Sequence, residues 1–130
     1  MKKILIAEDE YISQKKLRGI LEKVGHCDLV ADGVSAIEAF KAQLCQGEPY
    51  DLVTLDIQMP NLNGHVVAQE IRSLEEEVNL GKNALVLVIS QMDNVDDITT
   101  AFFEDGVDGF IGKPFSSEKI YHELAARGIM

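Results

Sequence analysis

Leu52-Val53-Thr54-Leu55-Asp56 is four apolar or β-branched side chains closed by a carboxylate, with Pro60 and Gly64 following within eight residues. A run this short and this apolar reads as a strand covered on both faces rather than as one face of a helix. Leu85 to Ser90 has the same character and closes on a hydroxyl. Working outward from these two, Ile4 to Ala7, Asp28 to Ala31 and Gly109 to Gly112 are weaker strand segments of the same kind. The stretches between them carry apolar residues at helical spacing: Leu17, Ile20, Leu21 and Val24, then Ile37, Phe40 and Leu44, then Val67, Ile71 and Leu74, then Ile98, Ala101 and Phe102. A last stretch, after Lys113, carries Ile120 and Leu124.

Local punctuation fits these boundaries. Gly25 follows the first helix, Asp93 can cap the fourth with Asp96 three residues on, and Ser116 can cap the fifth. Strand and helix therefore alternate five times, which predicts an α/β fold: a five-stranded parallel sheet with five helices on its two faces, joined by right-handed crossovers. There is no internal repeat and no low-complexity linker. Glu75 to Asn83, with three consecutive glutamates and then Gly81, reads as an extended polar connection.

A chain of 130 residues with 46% hydrophobic and 26% charged residues closes one core, so one domain over residues 1–130 is expected. The longest uninterrupted apolar run, Leu85 to Ile89, is far short of the ~20 residues of a membrane span, and the Lys2-Lys3 start lacks the apolar length of a signal peptide. Cys27 and Cys45 form no spaced framework, so both are expected to be packed or inert thiols in a cytoplasmic protein. A formal charge of −10 argues against direct binding to nucleic acid, whose phosphates need a surplus of lysine and arginine.

In a parallel sheet of this kind, ligands bind beyond the carboxyl ends of the strands, where strand order reverses. The residues there are Glu8, Asp9 and Glu10 after the first strand, Asp56 closing the third, Ser90 closing the fourth, and Lys113-Pro114 after the fifth. Convergent carboxylates repel one another, and a bound cation relieves the repulsion. All-oxygen ligation by few carboxylates suits Mg²⁺, with Asp9 and Asp56 as direct ligands, Glu8 acting directly or through water, and the backbone carbonyl of Gln58 closing the set. Lys113 adds a compact positive charge and Ser90 a donor hydroxyl. With the metal they could hold three phosphoryl oxygens while the Asp56 carboxylate, already ionised at neutral pH, attacks in line. Each residue also has a plain structural reading, as a polar loop, a cap, a surface lysine or a strand-end serine. Their coincidence at strand ends, in the order acid pair, acid, hydroxyl, lysine, favours the chemical one.

The motifs that carry this order are Ile4-Leu5-Ile6-Ala7-Glu8-Asp9-Glu10, Asp51-Leu52-Val53-Thr54-Leu55-Asp56-Ile57-Gln58-Met59-Pro60 with Gly64, Val88-Ile89-Ser90, and Lys113-Pro114-Phe115. Over its whole length the chain resembles a bacterial response-regulator receiver domain, of the single-domain type found in chemotaxis and phosphorelays. The resemblance implies a flavodoxin-like, doubly wound sheet of order 2-1-3-4-5. It also implies an acid pair at Glu8 and Asp9, a phosphoacceptor at Asp56, a switch hydroxyl at Ser90, an essential lysine at Lys113, and an aromatic switch position at Phe110. The phosphodonor it implies is a sensor histidine kinase or a histidine phosphotransfer protein. Two amides depart from the family pattern or sit close to its centre: Gln91, where a small residue is usual, and Gln58. His65 is expected to be a solvated helix-start residue rather than a second phosphoryl relay site, and His26 with Cys27 lacks further ligands for a metal site.

The function expected from this reading is two-component signal transduction. Phosphorylation of Asp56 would draw Ser90 inward, repack Phe110 and change the face formed by the fourth helix, fifth strand and fifth helix. Asp93, Asp96, Asp97, Glu104, Asp105 and Asp108 make that region acidic, fit either for a basic partner surface or for solvent. The chain would be no enzyme beyond catalysing its own phosphorylation and dephosphorylation. It is expected to act through an unidentified downstream protein, with no membrane insertion and no output domain of its own. The alternatives are a receiver-like interaction module that never takes phosphate, and a receiver domain excised from a larger regulator or hybrid kinase. A haloacid-dehalogenase-like phosphatase would need a second acid at Gln58, and a flavin or dinucleotide module would need a Gly-rich turn where Glu8-Asp9-Glu10 stands.

Overall fold

A computed structural model gives the architecture, and it describes residues 2–59, 63–91, 96, 99–100 and 104–130. In chain order the elements are β1 (Lys2–Ala7), α1 (Tyr11–Leu21), β2 (Gly25–Val30), α2 (Gly33–Cys45), β3 (Leu52–Leu55), α3 (Gly64–Val78), β4 (Leu85–Ser90), β5 (Gly109–Gly112) and α4 (Ser117–Ala126). The strands form one sheet in the order β2-β1-β3-β4-β5, and every neighbouring pair is parallel. The fourth expected helix, with Ile98, Ala101, Phe102 and its cap Asp93, lies outside the described residues, so α4 here is the fifth expected one.

Period two along the strands divides the core into two layers. Leu5, Ala7, Val53, Leu55, Val86 and Val88 pack with Phe40 and Leu44 of α2 and Val67 and Ile71 of α3. Ile4, Ile6, Leu52, Leu87, Ile89 and Ile111 pack with Leu17, Ile20 and Leu21 of α1 and Ile120 and Leu124 of α4. Among the described residues the four helices thus divide two and two between the faces. The same parity governs the site, because the ladder runs one residue past three strands: Glu8 N–H donates to Val30 O, Asp56 N–H to Ala7 O and Lys113 N–H to Ser90 O, at 3.0, 3.1 and 3.0 Å. Counting by twos from Ile4 and Ile6, from Leu52 and Thr54, and from Ile111 carries Glu8, Asp56 and Lys113 to the face of α1 and α4.

Side-chain caps set three helix starts. Asp32 accepts from Ser35 N–H at 2.8 Å, Asn63 from Val66 N–H at 3.1 Å and Ser116 from Lys119 N–H at 3.2 Å, the last as the sequence predicts. Two expectations need correction. The second strand is Gly25–Val30 rather than Asp28 to Ala31, and Gly25 is its first residue. A Cβ on Gly25 would lie 2.2 Å from Lys2 O, so this glycine serves the close approach of β2 to β1 rather than the end of a helix. The glutamate run is not an extended connection either: α3 continues to Val78, and buried Glu75 accepts from Arg72 Nη1 at 2.7 Å and from Ala84 N–H at 2.6 Å. Among the described residues no helix is long and apolar enough to cross a membrane. Both cysteines are free. Cys27 is buried, which pushes its thiol up to about 11, and Cys45 is exposed.

Candidate functional site

Three carboxylates meet at the carboxyl edge of β1 and β3, beside the point where strand order reverses. Glu8, Asp9 and Asp56 each place one oxygen within 4.8 Å of the others. Glu8 and Asp56 are buried and Asp9 is exposed, so the cluster opens to solvent on the Asp9 side. Lys113 reaches in from beyond the end of β5, on the same face of the sheet. Its Nζ donates to Glu8 Oε1 at 2.7 Å and to Asp56 Oδ2 at 3.0 Å. The other Asp56 oxygen, Oδ1, accepts from Ser90 Oγ and from Gln58 N–H, both at 2.9 Å. Every oxygen of Asp56 is thereby held by a donor from a different segment, which fixes the carboxylate in one orientation.

The electrostatics follow from this crowding. Burial, only partly offset by the Lys113 hydrogen bond and reinforced by the charge of Asp56, pushes Glu8 up to about 7. Burial alone would lower Lys113, but its bonds to Glu8 and Asp56 outweigh it and hold the ammonium above its ordinary range. The site therefore keeps one firmly charged cation among acids that carry negative charge in excess.

The local chain explains how the residues arrive there. Gly64 N–H donates to Ile57 O at 2.8 Å, and a Cβ on Gly64 would lie 2.7 Å from Asp56 O, so the turn after Asp56 closes tightly only over a glycine. Glu10 N–H donates to Glu8 Oε1 at 3.2 Å, and the Gln14 side-chain amide donates to Glu8 O. Residues 4–125 match the family described as response regulator receiver domain. The chain belongs to the response regulator receiver domain family.

As a receiver domain it is 32% identical over 120 residues to the two-component response regulator ORR41 of Oryza sativa subsp. japonica, covering 92% of this chain and 89% of that protein. Three histidine kinases from other organisms also match, but the chain spans only 7%, 13% and 9% of their lengths. In fold it is similar to the CheX-CheY-BeF3-Mg+2 complex from Borrelia burgdorferi, with a TM-score of 0.84 and 26% identity over 99% of this chain and 90% of that one. It is also similar to the receiver domain of sensor histidine kinase PA1611 from Pseudomonas aeruginosa PAO1, which holds a magnesium ion in its active site cleft. There the TM-score is 0.80 and the identity 25%, over 98% of this chain and 97% of that one.

Of the residues singled out in the sequence, Glu8, Asp9, Asp56, Ser90 and Lys113 come together in this receiver, and Gln58 joins through its N–H while its side chain is exposed. Phe110 does not enter the cluster. It lies half-buried on β5, paired with Val88 and packed against the α2 and α3 layer. Gln91 is exposed directly after Ser90. His26 pairs with Asp28 at 3.2 Å while Cys27 points into the core, so they form no common site.

His65 departs from its expected role. Its side chain is only 19% exposed and Nδ1 meets the carboxylate of Asp105, which is fully buried and also accepts from Gln69 Nε2 at 2.8 Å. Nor is Asp108 a free surface charge, since Arg72 Nη2 donates to it at 2.8 Å. Of the six acids read as a solvated or partner-facing patch, Asp105 is therefore buried, and Asp108, though exposed, is tied to Arg72. The pairs span 40 and 36 residues of chain, and no local pattern in the sequence announces them.

Proposed function

We propose that this receiver domain accepts a phosphoryl group on Asp56 from the phosphohistidine of a sensor histidine kinase or a histidine phosphotransfer protein, and that the product state alters a protein-binding face. The observation that carries the proposal is the double hold on Asp56, with Lys113 on Oδ2 and Ser90 on Oδ1. In the transfer, an Asp56 oxygen forms the new P–O bond as the P–N bond to the donor imidazole breaks. Its electron pair stays with the imidazole, which takes up a proton. The aspartate needs no base, because it attacks as the carboxylate. Lys113 and Ser90 are placed to transfer their hydrogen bonds from the carboxylate to phosphoryl oxygens as charge moves outward onto them.

The donor set fits Mg²⁺: three carboxylates whose oxygens lie within 4.8 Å, two of them buried and short of positive charge. Asp9 and Asp56 would bind it directly, Glu8 directly or through water, and the Gln58 carbonyl would complete the protein ligands. When bound, the ion supplies neutralising charge for the transferring phosphoryl oxygens. Turnover is confined to Asp56 itself, since the second acid that an aspartate-based phosphatase places two residues on is replaced by Gln58.

Ser90 sits at the end of β4, beside β5 and its half-buried Phe110; in this reading a shift of its hydroxyl from Asp56 to a phosphoryl oxygen is passed on to that ring. The face of β5 and α4 is then the output surface, read by a downstream protein. Incubation with acetyl phosphate and Mg²⁺ tests the chemistry. A gain of about 80 Da in intact mass, lost on adding EDTA and in Asp56→Asn, is expected. An equal gain in Asp56→Asn contradicts the assignment.

A further inference from the structure

Lys16 lies on the exposed side of α1, yet its side chain is engaged at both of its chemical faces. Nζ donates to the backbone carbonyl of Phe115, and the ammonium stands 4.5 Å from the centroid of the Phe115 ring. That ring is 5% exposed and belongs to the α1 and α4 core layer. The contact crosses 99 residues of chain and joins α1 to the loop between β5 and α4.

Lys113 begins that loop. Before it, the chain is fixed by the Lys113 N–H bond to Ser90 O; after it, Phe115 is fixed by Lys16, and Ser116 caps α4. Helix α1 also holds the opposite end of the Lys113 ion pair, because Gln14 bonds to Glu8 O two residues before Lys16 in the sequence. The contacts close a ring: Glu8, Gln14, Lys16, Phe115, Lys113 and back to Glu8 at 2.7 Å. A rigid helix thus sets the distance between the acid pair and the lysine that must follow the phosphoryl group. A cation over an aromatic face that also bonds to the carbonyl of the same residue is a two-point clamp, which a neutral side chain of equal length does not reproduce.

We propose that Lys16 is a positioning residue for Lys113, clamping the β5–α4 loop so that Nζ of Lys113 stays in register with Asp56 during phosphoryl transfer. This rests on the phosphoacceptor reading above and adds a residue outside the strand-end set. Lys16→Met keeps the stem and removes the charge, and Lys16→Arg keeps a donor and a cation over the ring.

The test measures the rate of phosphorylation by acetyl phosphate at saturating Mg²⁺ in wild type, Lys16→Met, Lys16→Arg, Lys113→Ala and the Lys16→Met/Lys113→Ala double variant, with urea unfolding of each. Lys16→Met should be slower by about tenfold and Lys16→Arg within about twofold of wild type, as expected when a charged group is displaced from its working geometry. If Lys16 acts through Lys113, its effect disappears in the Lys113→Ala background. A purely structural role lowers the rate equally in both backgrounds, and that result, or an unchanged rate in Lys16→Met, overturns the inference. Failure of the wild type to take up phosphate instead overturns the phosphoacceptor reading itself, and the positioning role with it.

Discussion

At Glu8, burial and the neighbouring Asp56 charge work against ionisation, and the Lys113 ammonium offsets them only in part. Its folded value of about 7 stands above the ordinary 4.5, so between these limits the unfolded chain holds fewer protons on this group than the folded one does. Stability therefore falls as pH rises through that window, the penalty is complete above about 7, and it is relieved on acidification. Without metal, urea unfolding should show Glu8→Gln to be more stable than wild type at pH 8, by the order of 1 to 3 kcal/mol, with the difference vanishing near pH 4.5. Added Mg²⁺ should stabilise the wild type at pH 8 and Glu8→Gln less. A Glu8→Gln variant that is less stable than wild type at pH 8 without metal contradicts the excess of negative charge. This residue was legible in the sequence as a strand-end acid. Its perturbed ionisation was not, because it depends first on burial at the folded sheet edge and then on Lys113 and Asp56, which only the fold brings beside it.

His65 and Asp105 join two elements: the first turn of α3, which follows the Asp56 loop, and the segment that leads into β5. A buried carboxylate held by an imidazole and an amide loses the imidazole when His65 becomes Ala. His65→Ala should destabilise by about 2 to 4 kcal/mol in chemical denaturation, and Asp105→Asn in the same background should recover part of it by removing the unpaired charge. No loss in His65→Ala would show the pair to be incidental. Elements were otherwise legible where local pattern sufficed. Leu85 to Ser90 and Gly109 to Gly112 stand where the apolar runs place them, and Ser116 caps α4. The start of β2 escaped because Gly25 and His26 look like a helix end and a polar loop. Only the register against Lys2 and Lys3 shows why a glycine begins the strand. The helical identity of Glu75 to Val78 escaped for a related reason, since a buried glutamate is explained only by Arg72 and the Ala84 N–H.

For the molecule as a whole, strand parity converts a linear order of motifs into a site. Glu8, Asp56 and Lys113 fall on the face of α1 and α4 by counting, and Ser90 closes on Asp56 from the neighbouring strand. That much followed from the order acid pair, acid, hydroxyl, lysine. The clamp of Lys16 on Phe115 and the long-range ties of Asp105 and Asp108 required the tertiary fold, because each joins residues that only packing brings together. The central claim is that phosphate enters at one carboxylate of this receiver and nowhere else. The most direct test is to load the protein with acetyl phosphate and Mg²⁺, reduce the acyl phosphate with borohydride, and map the modified peptide by tandem mass spectrometry. Modification confined to Asp56, absent without Mg²⁺, is the predicted result. Phosphate found on His65, or on any acid other than Asp56, contradicts the account.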